Sequence, residues 1–185
     1  EPAVNMLLGR PFPKWDQRTL EVSWATLSTI ISRTTAVDWK VFGEAFSSTG
    51  DIGAAAKTVF EKSSAKRQTS LFEKTLTIGE VRRSFETIAE TSGSGSRQKK
   101  ERIVEALMSQ ASPLEAKYLV KILIGDMRTG FHEGLLEQAV SKAFEIPLKK
   151  VQEASMILGD VGSVASIART EGQQGLNRVE FKVSR

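Results

Sequence analysis

Apolar residues recur at spacings of three and four along almost the whole chain, which is the period of an amphipathic α-helix. The first such stripe consists of Leu20, Trp24, Leu27, Ile30 and Ile31. Comparable stripes lie in the segments 37–46, 52–60, 81–89, 103–108, 116–124, 135–144 and 161–168. Only the segment 176–185 alternates apolar and polar positions in the manner of a strand. The pattern predicts an all-α, compact multi-helix domain with roughly nine to eleven helices.

Helix boundaries are marked by residues that favour caps. Ser112-Pro113-Leu114-Glu115 has the order of an N-cap, a proline at the first helical position and a glutamate at the third, and is the strongest helix start in the chain. The Gly-Asp pairs at 50–51 and 159–160 are typical of one helix ending and the next beginning. The N–H groups of these turns could also bind a phosphate, but the neighbouring aspartate carboxylate repels an anion. A structural role at the helix ends is therefore favoured.

The two Gly-Asp turns belong to an internal repeat. Residues 40–54 align with 149–163 at an offset of 109, and six of the fifteen positions are identical. This predicts two half-repeats, at about 18–62 and 127–172, linked by 63–126 and related by a pseudo-two-fold axis. Such symmetry suits duplex DNA, whose backbone is itself two-fold symmetric. The alternative is chance similarity between amphipathic helices.

Composition excludes several classes of protein. The 185 residues include no cysteine and one histidine, which rules out disulfides, thiol catalysis, zinc fingers and iron–sulfur clusters. No apolar run approaches the roughly 18 residues of a membrane span. The lone His132 has no partner for a metal site, and no carboxylate pair, Walker loop or Ser–His–Asp set suggests a catalytic centre. The three tryptophans are expected to anchor the core; they are Trp15, Trp24 and Trp39.

Local charge is more informative than the net charge of +4. The stretch Ser92-Gly93-Ser94-Gly95-Ser96 runs directly into Arg97-Gln98-Lys99-Lys100-Glu101-Arg102, so residues 92–102 hold four basic side chains and one acidic. Small residues with accessible N–H groups at the start of a basic helix are suited to a phosphate backbone. The alternative is a flexible linker followed by a solvated helix face.

A second candidate is the turn Gly125-Asp126-Met127-Arg128-Thr129-Gly130. Gly125 fits the position just after a helix C-terminus, and Gly130 allows another backbone to approach closely. A single arginine between glycines can enter a minor groove because nothing bulky flanks it. The alternative is an ordinary helix stop followed by a turn.

Four segments in this order make the chain resemble the N-terminal DNA-binding domain of ATP-dependent DNA ligases, of the archaeal and eukaryotic replicative type. They are the entry at 7–13, the Gly-Asp-apolar-Gly turns at 50–53 and 159–162, the run from Phe85 through the Ser/Gly stretch to Lys100, and the helix and turn from Ser112 to Ala139. The resemblance covers nearly the whole chain.

The resemblance implies a domain that holds nicked double-stranded DNA from the minor-groove side, with little base specificity. It implies DNA contacts at Ser94, Ser96, Arg97, Lys99, Gly125, Arg128 and Gly130, with Arg33 and Thr35 as further candidates. One departure is Asp126, where the family often has a basic residue. Another is the lack of the family's Lys-x-Asp-Gly adenylation motif. The chain is therefore expected to be a non-catalytic domain ending near the start of a nucleotidyltransferase domain, without a cofactor of its own; ATP and Mg²⁺ would serve the parent enzyme's catalytic domain.

The resemblance also implies partners. Residues 66–72 are similar to the short box by which archaeal ligases bind a sliding clamp (PCNA), with Gln68, Leu71 and Phe72 as the contacting residues. The alternative is a helix start whose apolar residues are buried. The full-length protein's own catalytic domains are further partners, and the resemblance implies an intracellular monomer.

Two other functions remain open on the sequence alone. One is a helical protein-interaction scaffold that binds a sliding clamp. The other is a stand-alone helical DNA glycosylase-type enzyme, which would need a nucleophilic lysine or a catalytic aspartate, and for which the sequence offers Asp51 and Asp160. Both aspartates stand at helix caps and in duplicate, which suits a structural role better.

Overall fold

The computed structural model describes residues 1–64 and 75–179. Within these ranges all regular secondary structure is helical, which confirms the predicted fold class. Leu176 lies in the last helix, so the described part of the alternating segment 176–185 is not a strand. The helices are α1 (Pro2–Leu7), α2 (Trp24–Thr35), α3 (Trp39–Thr49), α4 (Ile52–Ser64), α5 (Ile78–Glu90), α6 (Ser96–Gln110), α7 (Pro113–Ile124), α8 (Glu133–Phe144), α9 (Leu148–Leu158) and α10 (Val161–Asn177).

The helix start at Ser112 forms as predicted. The Ser112 hydroxyl accepts a hydrogen bond from the Glu115 N–H at 3.3 Å, and the Glu115 carboxylate accepts one from the Ser112 N–H at 2.8 Å. Reciprocal bonds of this kind satisfy backbone donors that a helix start leaves without partners. Gly50 and Gly159 end α3 and α9 in the left-handed conformation, as the Gly-Asp pairs predicted.

Two expectations about apolar residues are wrong. Leu20 is buried but precedes α2, which begins at Trp24 after the Ser23 cap. Trp15 and Trp24 are not core anchors, since they are 62% and 36% exposed, whereas Trp39 is half-buried and stacks on the buried Phe42 at 4.5 Å between ring centres. Trp24 stands at the first position of α2, where it packs along α3 at 5.4 Å from the ring centre of Phe42 instead of facing the interior.

The chain divides into two compact units. Residues 19–126 form one, here called the α2–α7 unit, in which α4 packs against both α3 and α7 and α2 packs on α6. Residues 1–18 and 127–185 form the other, here called the α8–α10 unit, in which α10 packs on α1, α8 and α9. One buried apolar cluster of the α8–α10 unit contains Val140, Ile146, Val151, Ala154, Val164, Ala168 and Leu176.

The helices of the two halves correspond at the offset found in the sequence. Shifting α2 and α3 by 109 residues reproduces the bounds of α8 and α9, and the same shift places the start of α4 on the start of α10. Ala36 and Glu145, at equivalent positions, both end their helices in the left-handed conformation. The agreement concerns local structure, and the pseudo-two-fold relation stays a prediction.

A buried ion pair links α7 to the turn between α3 and α4. The Lys121 side chain is 5% exposed, and its ammonium donates to the Asp51 carboxylate, whose other oxygen accepts from the Ala54 N–H at 2.7 Å. A Cβ at Gly53 would lie 2.6 Å from Lys121 Cδ, so only glycine leaves room for the lysine stem. The Gly-Asp-apolar-Gly turn at 50–53 is therefore a packing and capping element, as its sequence favoured.

Replacing Asp51 by asparagine should destabilise the α2–α7 unit by roughly 2–3 kcal/mol. The asparagine still caps α4, but it leaves the Lys121 ammonium buried without a counter-charge; the loss is below the roughly 3–5 kcal/mol of a fully buried pair because Asp51 is partly exposed. Urea unfolding at neutral pH measures it. In a Lys121→Met background the same substitution should cost under about 0.5 kcal/mol, and equal costs in both backgrounds would contradict the coupling.

The same pair predicts a pH dependence. Burial raises the pKa of the Asp51 carboxyl, but hydrogen bonds from Lys121 and the Ala54 N–H, together with the charges of Lys121 and Lys117, outweigh burial and bring the pKa below its ordinary value of 3.8. Because the folded pKa is the lower one, this stabilisation is present above the unfolded pKa and is lost as the pH falls through the folded pKa. The difference in unfolding free energy between the wild type and Lys121→Met should therefore shrink progressively as the pH falls below about 5. A constant difference across that range would contradict this.

Candidate nucleic-acid interface

The Ser/Gly stretch forms an open loop before α6. Gly93 and Gly95 both have left-handed backbones, with φ of 80° and 75°, and a Cβ at either would meet no atom within 4 Å. Gly95 is the N-cap of α6, and it supplies no side-chain hydrogen bond to the first turn. Ser94 is exposed and Ser96 is the first helical residue. The positive end of the α6 dipole therefore faces an accessible loop, which is a geometry that binds anions.

Two of the four basic side chains in this segment are held by carboxylates. Lys100 is buried, and its ammonium donates to the Glu21 carboxylate at 2.8 Å and to the Leu20 carbonyl at 3.3 Å. Arg97 donates to Glu101 at 3.0 Å, one helical turn away. The Lys100 charge therefore stabilises the fold and is not available to a ligand. Counting basic residues in the sequence does not distinguish these two roles.

Lys99 and Arg102 are the basic side chains of this segment that stay available. Both are exposed, and neither forms an ion pair with another described residue. They are three residues apart on α6, so they share one face of the helix. Lys99 was a predicted DNA contact, and Arg102 was not.

A cleft of about 410 Å³ brings the start of α2 beside the start of α6. It is lined by Ser23 and Thr26 of α2 and by Ser96, Arg97 and Lys100 of α6, among others. Glu21 also lines it, and the hydrogen bond and charge of Lys100 lower the pKa of that carboxyl. The start of α2 did not figure among the predicted contacts. The only feature of the sequence that could have indicated a contact there is the pair of hydroxyl residues Ser23 and Thr26. Such a pair is common at helix starts and does not by itself indicate a binding site.

Arg33 and Thr35 already have partners inside the α2–α7 unit. The Arg33 guanidinium donates from Nε and Nη2 to the two oxygens of Glu105, both at 2.7 Å. Thr35 is buried, and its hydroxyl donates to the Ile31 carbonyl at 2.8 Å. The burial of Thr35 does not support a DNA contact there, whereas the Arg33 side chain is 54% exposed and a contact at Arg33 stays a prediction.

The arginine turn spans the boundary between the two units. Gly125 ends α7 with φ of 75° and belongs to the α2–α7 unit, whereas Arg128 and Gly130 belong to the α8–α10 unit. Arg128 is exposed with φ of 44°, a left-handed conformation that costs a non-glycine residue roughly 1 kcal/mol or more. Ala36 and Glu145 have the same conformation at the ends of α2 and α8, so it marks a sharp turn of the backbone at Arg128.

Other kinds of site are not found in the described ranges. There, no group of three or more His, Asp or Glu side chains could hold a metal ion. No helix among them is long and apolar enough to span a membrane. His132 caps α8, since its Nδ1 accepts from the Leu135 N–H at 3.3 Å. The sliding-clamp residues Gln68, Leu71 and Phe72 lie outside the described residues.

The described residues thus define an all-helical fold that presents backbone N–H groups and exposed cations at the start of α6. Residues 2–140 match the family model for the N terminus of DNA ligase, and the chain therefore belongs to that family. This confirms the resemblance drawn from the four ordered segments.

Individual relatives agree with the family match. The DNA ligase of Thermococcus onnurineus is 36% identical over all 185 residues, that of Methanocella arvoryzae is 37% identical over 184, and that of Methanopyrus kandleri is 35% identical over 179. In each case the match covers 97% or more of this chain and 32% of the relative. The chain thus spans about a third of the length of the curated relatives it matches.

Proposed function

We propose that this chain is the non-catalytic DNA-holding domain of an ATP-dependent DNA ligase. It binds nicked double-stranded DNA from the minor-groove side, through the phosphate backbone and without base specificity, during nick sealing in replication and repair. The observation that carries the proposal is the open Ser/Gly loop before the uncapped start of α6, with Lys99 and Arg102 exposed behind it, in a chain of the DNA ligase N-terminus family.

The phosphate contacts are assigned to the α6 loop. A phosphate oxygen accepts from N–H groups of the first α6 turn and from the hydroxyls of Ser94 and Ser96, and the Lys99 ammonium neutralises its charge. Arg97 joins when a phosphate competes with Glu101 for its guanidinium, which is 79% exposed. Bonds of this kind position the duplex and read no sequence.

The groove contacts are assigned to the arginine turn. Gly125 and Gly130 let the DNA backbone approach closely. The Arg128 guanidinium enters the minor groove of the duplex. The aspartate at position 126 offers no attraction for phosphate, so the cationic contribution of the turn rests on Arg128.

The chemistry of sealing belongs to other parts of such a protein. The chain contains no Lys-x-Asp-Gly sequence, and the described residues contain no metal-binding group. ATP and Mg²⁺ are therefore assigned to the catalytic domain of the full-length ligase. The proposal also holds that the full-length protein is an intracellular monomer and that it contacts a sliding clamp through Gln68, Leu71 and Phe72.

Substituting Lys99 with alanine should weaken binding to a nicked duplex equally for any sequence and make the binding less sensitive to salt. Each neutralised phosphate contributes about 0.9 to the slope of log K against log salt, so the slope should fall in magnitude by about that amount. Fluorescence anisotropy between about 50 and 200 mM salt measures it. The matched control is Lys62→Ala, an exposed lysine on α4 of the same unit. Equal slopes for the two variants would contradict the phosphate contact.

Substituting Arg128 should weaken binding to a nicked duplex about tenfold, the equivalent of ~1.4 kcal/mol for one charge-assisted contact. Arg128→Gly is the sharper variant because glycine relieves the left-handed backbone, which offsets the loss of the side chain's own contacts in the fold. Binding assays are paired with thermal unfolding of the same variant. Unchanged affinity in a folded Arg128→Gly protein would remove this residue from the groove.

The competing functions give different results in the same assays. Release of a base or scission of a strand by the wild-type domain would favour a glycosylase-type enzyme. Failure to bind any duplex, with retention of clamp binding that depends on Gln68 and Phe72, would favour an interaction scaffold.

A further inference from the structure

The residues that follow α1, at 7–10 and here called the α1 exit, form a turn that is fixed by backbone hydrogen bonds. The Leu8 and Arg10 N–H groups both donate to the Asn5 carbonyl at 3.0 Å. Gly9 lies between them in the left-handed conformation, with φ of 74°. Asn5 is buried in α1, and α1 packs on α10. The α1 exit therefore has a defined position within the α8–α10 unit.

The α1 exit lies against the part of the arginine turn that belongs to the same unit. A Cβ at Gly9 would lie 2.7 Å from Met127 Cβ, which is too close for two carbon atoms and which no side-chain rotation of Met127 relieves. The Thr129 hydroxyl donates to the Leu7 carbonyl at 3.4 Å. The residues immediately before and after Arg128 are therefore both in contact with the α1 exit.

An ion pair extends these contacts to the start of α8. Arg10 Nη1 donates to Glu133 Oε1 at 2.7 Å, and Glu133 is the first residue of α8. The hydrogen bond from Arg10 lowers the pKa of the Glu133 carboxyl against the opposing effect of burial. By contrast, a Cβ at Gly130 would meet no described atom within 4 Å. One side of the turn is thus held by the α1 exit, and space remains open at Gly130.

This arrangement suits an arginine that must be presented to a ligand. Arg128 is exposed, and its φ of 44° makes a sharp turn of the backbone. The direction in which a long side chain leaves the surface depends on the backbone at its Cα. Fixing that backbone before binding reduces the ordering that binding must otherwise provide.

We propose that the α1 exit holds the backbone at Arg128 so that the guanidinium is directed into the minor groove, with Gly9 and Thr129 as positioning residues. The proposal rests on the groove contact of Arg128 in the proposed function. It adds that this contact depends on residues near the start of the sequence, neither of which touches the DNA.

The test compares two glycine substitutions in the α8–α10 unit. Gly9→Ala places a methyl group against Met127 and displaces the turn, so it should weaken binding to a nicked duplex about threefold to tenfold. Gly159→Ala is the matched control, because Gly159 is also left-handed, with φ of 66°, but a Cβ there meets no described atom within 4 Å. It should bind as the wild type does. Fluorescence anisotropy measures the affinity, and thermal unfolding shows that both variants are folded.

A second background separates positioning from support of the fold. Because Gly9 acts through Arg128, adding Gly9→Ala to Arg128→Gly should change the affinity by less than about twofold. In the free protein, NMR should show shifted amide resonances at Arg128 and Thr129 in Gly9→Ala but not in the Gly159→Ala control.

The Thr129 hydroxyl provides a test that does not depend on how well Gly9→Ala folds. Thr129→Val keeps the shape of the side chain but removes the bond to Leu7 and the longer one accepted from the Phe131 N–H at 3.5 Å. It should weaken binding about twofold to threefold. Thr129→Ser keeps the hydroxyl and should bind as the wild type does.

The outcomes distinguish this inference from the proposed function. Weaker binding by Arg128→Gly, with unchanged affinity in Gly9→Ala and Thr129→Val, would overturn the positioning alone. Equal losses from Gly9→Ala in the wild-type and Arg128→Gly backgrounds would also overturn it, because Gly9 would then support the fold. Unchanged affinity in Arg128→Gly would remove the groove contact, and the positioning with it.

Discussion

The contact between α4 and α7 in the α2–α7 unit depends on a buried charge, the ammonium of Lys121. Its helix, α7, is apolar on most sides, and the lysine extends from it into the contact with α4. A charge in that position is tolerated only beside a counter-charge, and Asp51 supplies it while also capping α4. Gly53 completes the arrangement because a side chain there would occupy the space of the lysine stem. A helix cap, an ion pair and a close packing contact thus meet in one turn.

Internal ion pairs also determine which basic side chains are available on the candidate DNA-binding surface. Lys100, Arg97 and Arg33 all have carboxylate partners within the fold, so much of the basic character in the sequence is already neutralised. Exposed cations and an open helix start remain, in the loop and first turns of α6. A phosphate backbone would be bound there by position and by a few charges, which suits a protein that holds DNA without reading it.

The two Gly-Asp turns show how a repeated local sequence can acquire different surroundings. Helix bounds and caps recur at an offset of 109 because the residues that start and stop helices recur. The elements that cover the turns do not recur: α7 brings a lysine to one, and α1 brings an asparagine to the other. An aspartate with its cation and an aspartate without one are the consequence.

The sequence by itself determined the fold class and most helix boundaries, because the apolar period and the helix caps depend on residues a few positions apart. It also determined the family, because the four characteristic segments occur in the expected order. The start at Ser112 and the glycine stops at 50 and 159 lie where those short-range rules put them. Only the tertiary structure decided which charged side chains are paired within the fold. Nothing local to Lys100, Arg33 or Thr35 distinguishes a ligand contact from a fold contact, since their partners lie on other elements or on the backbone. It also decided that Trp15 and Trp24 are exposed and that Asp160 is buried without an ion pair among the described residues, because both outcomes depend on which helix packs against which.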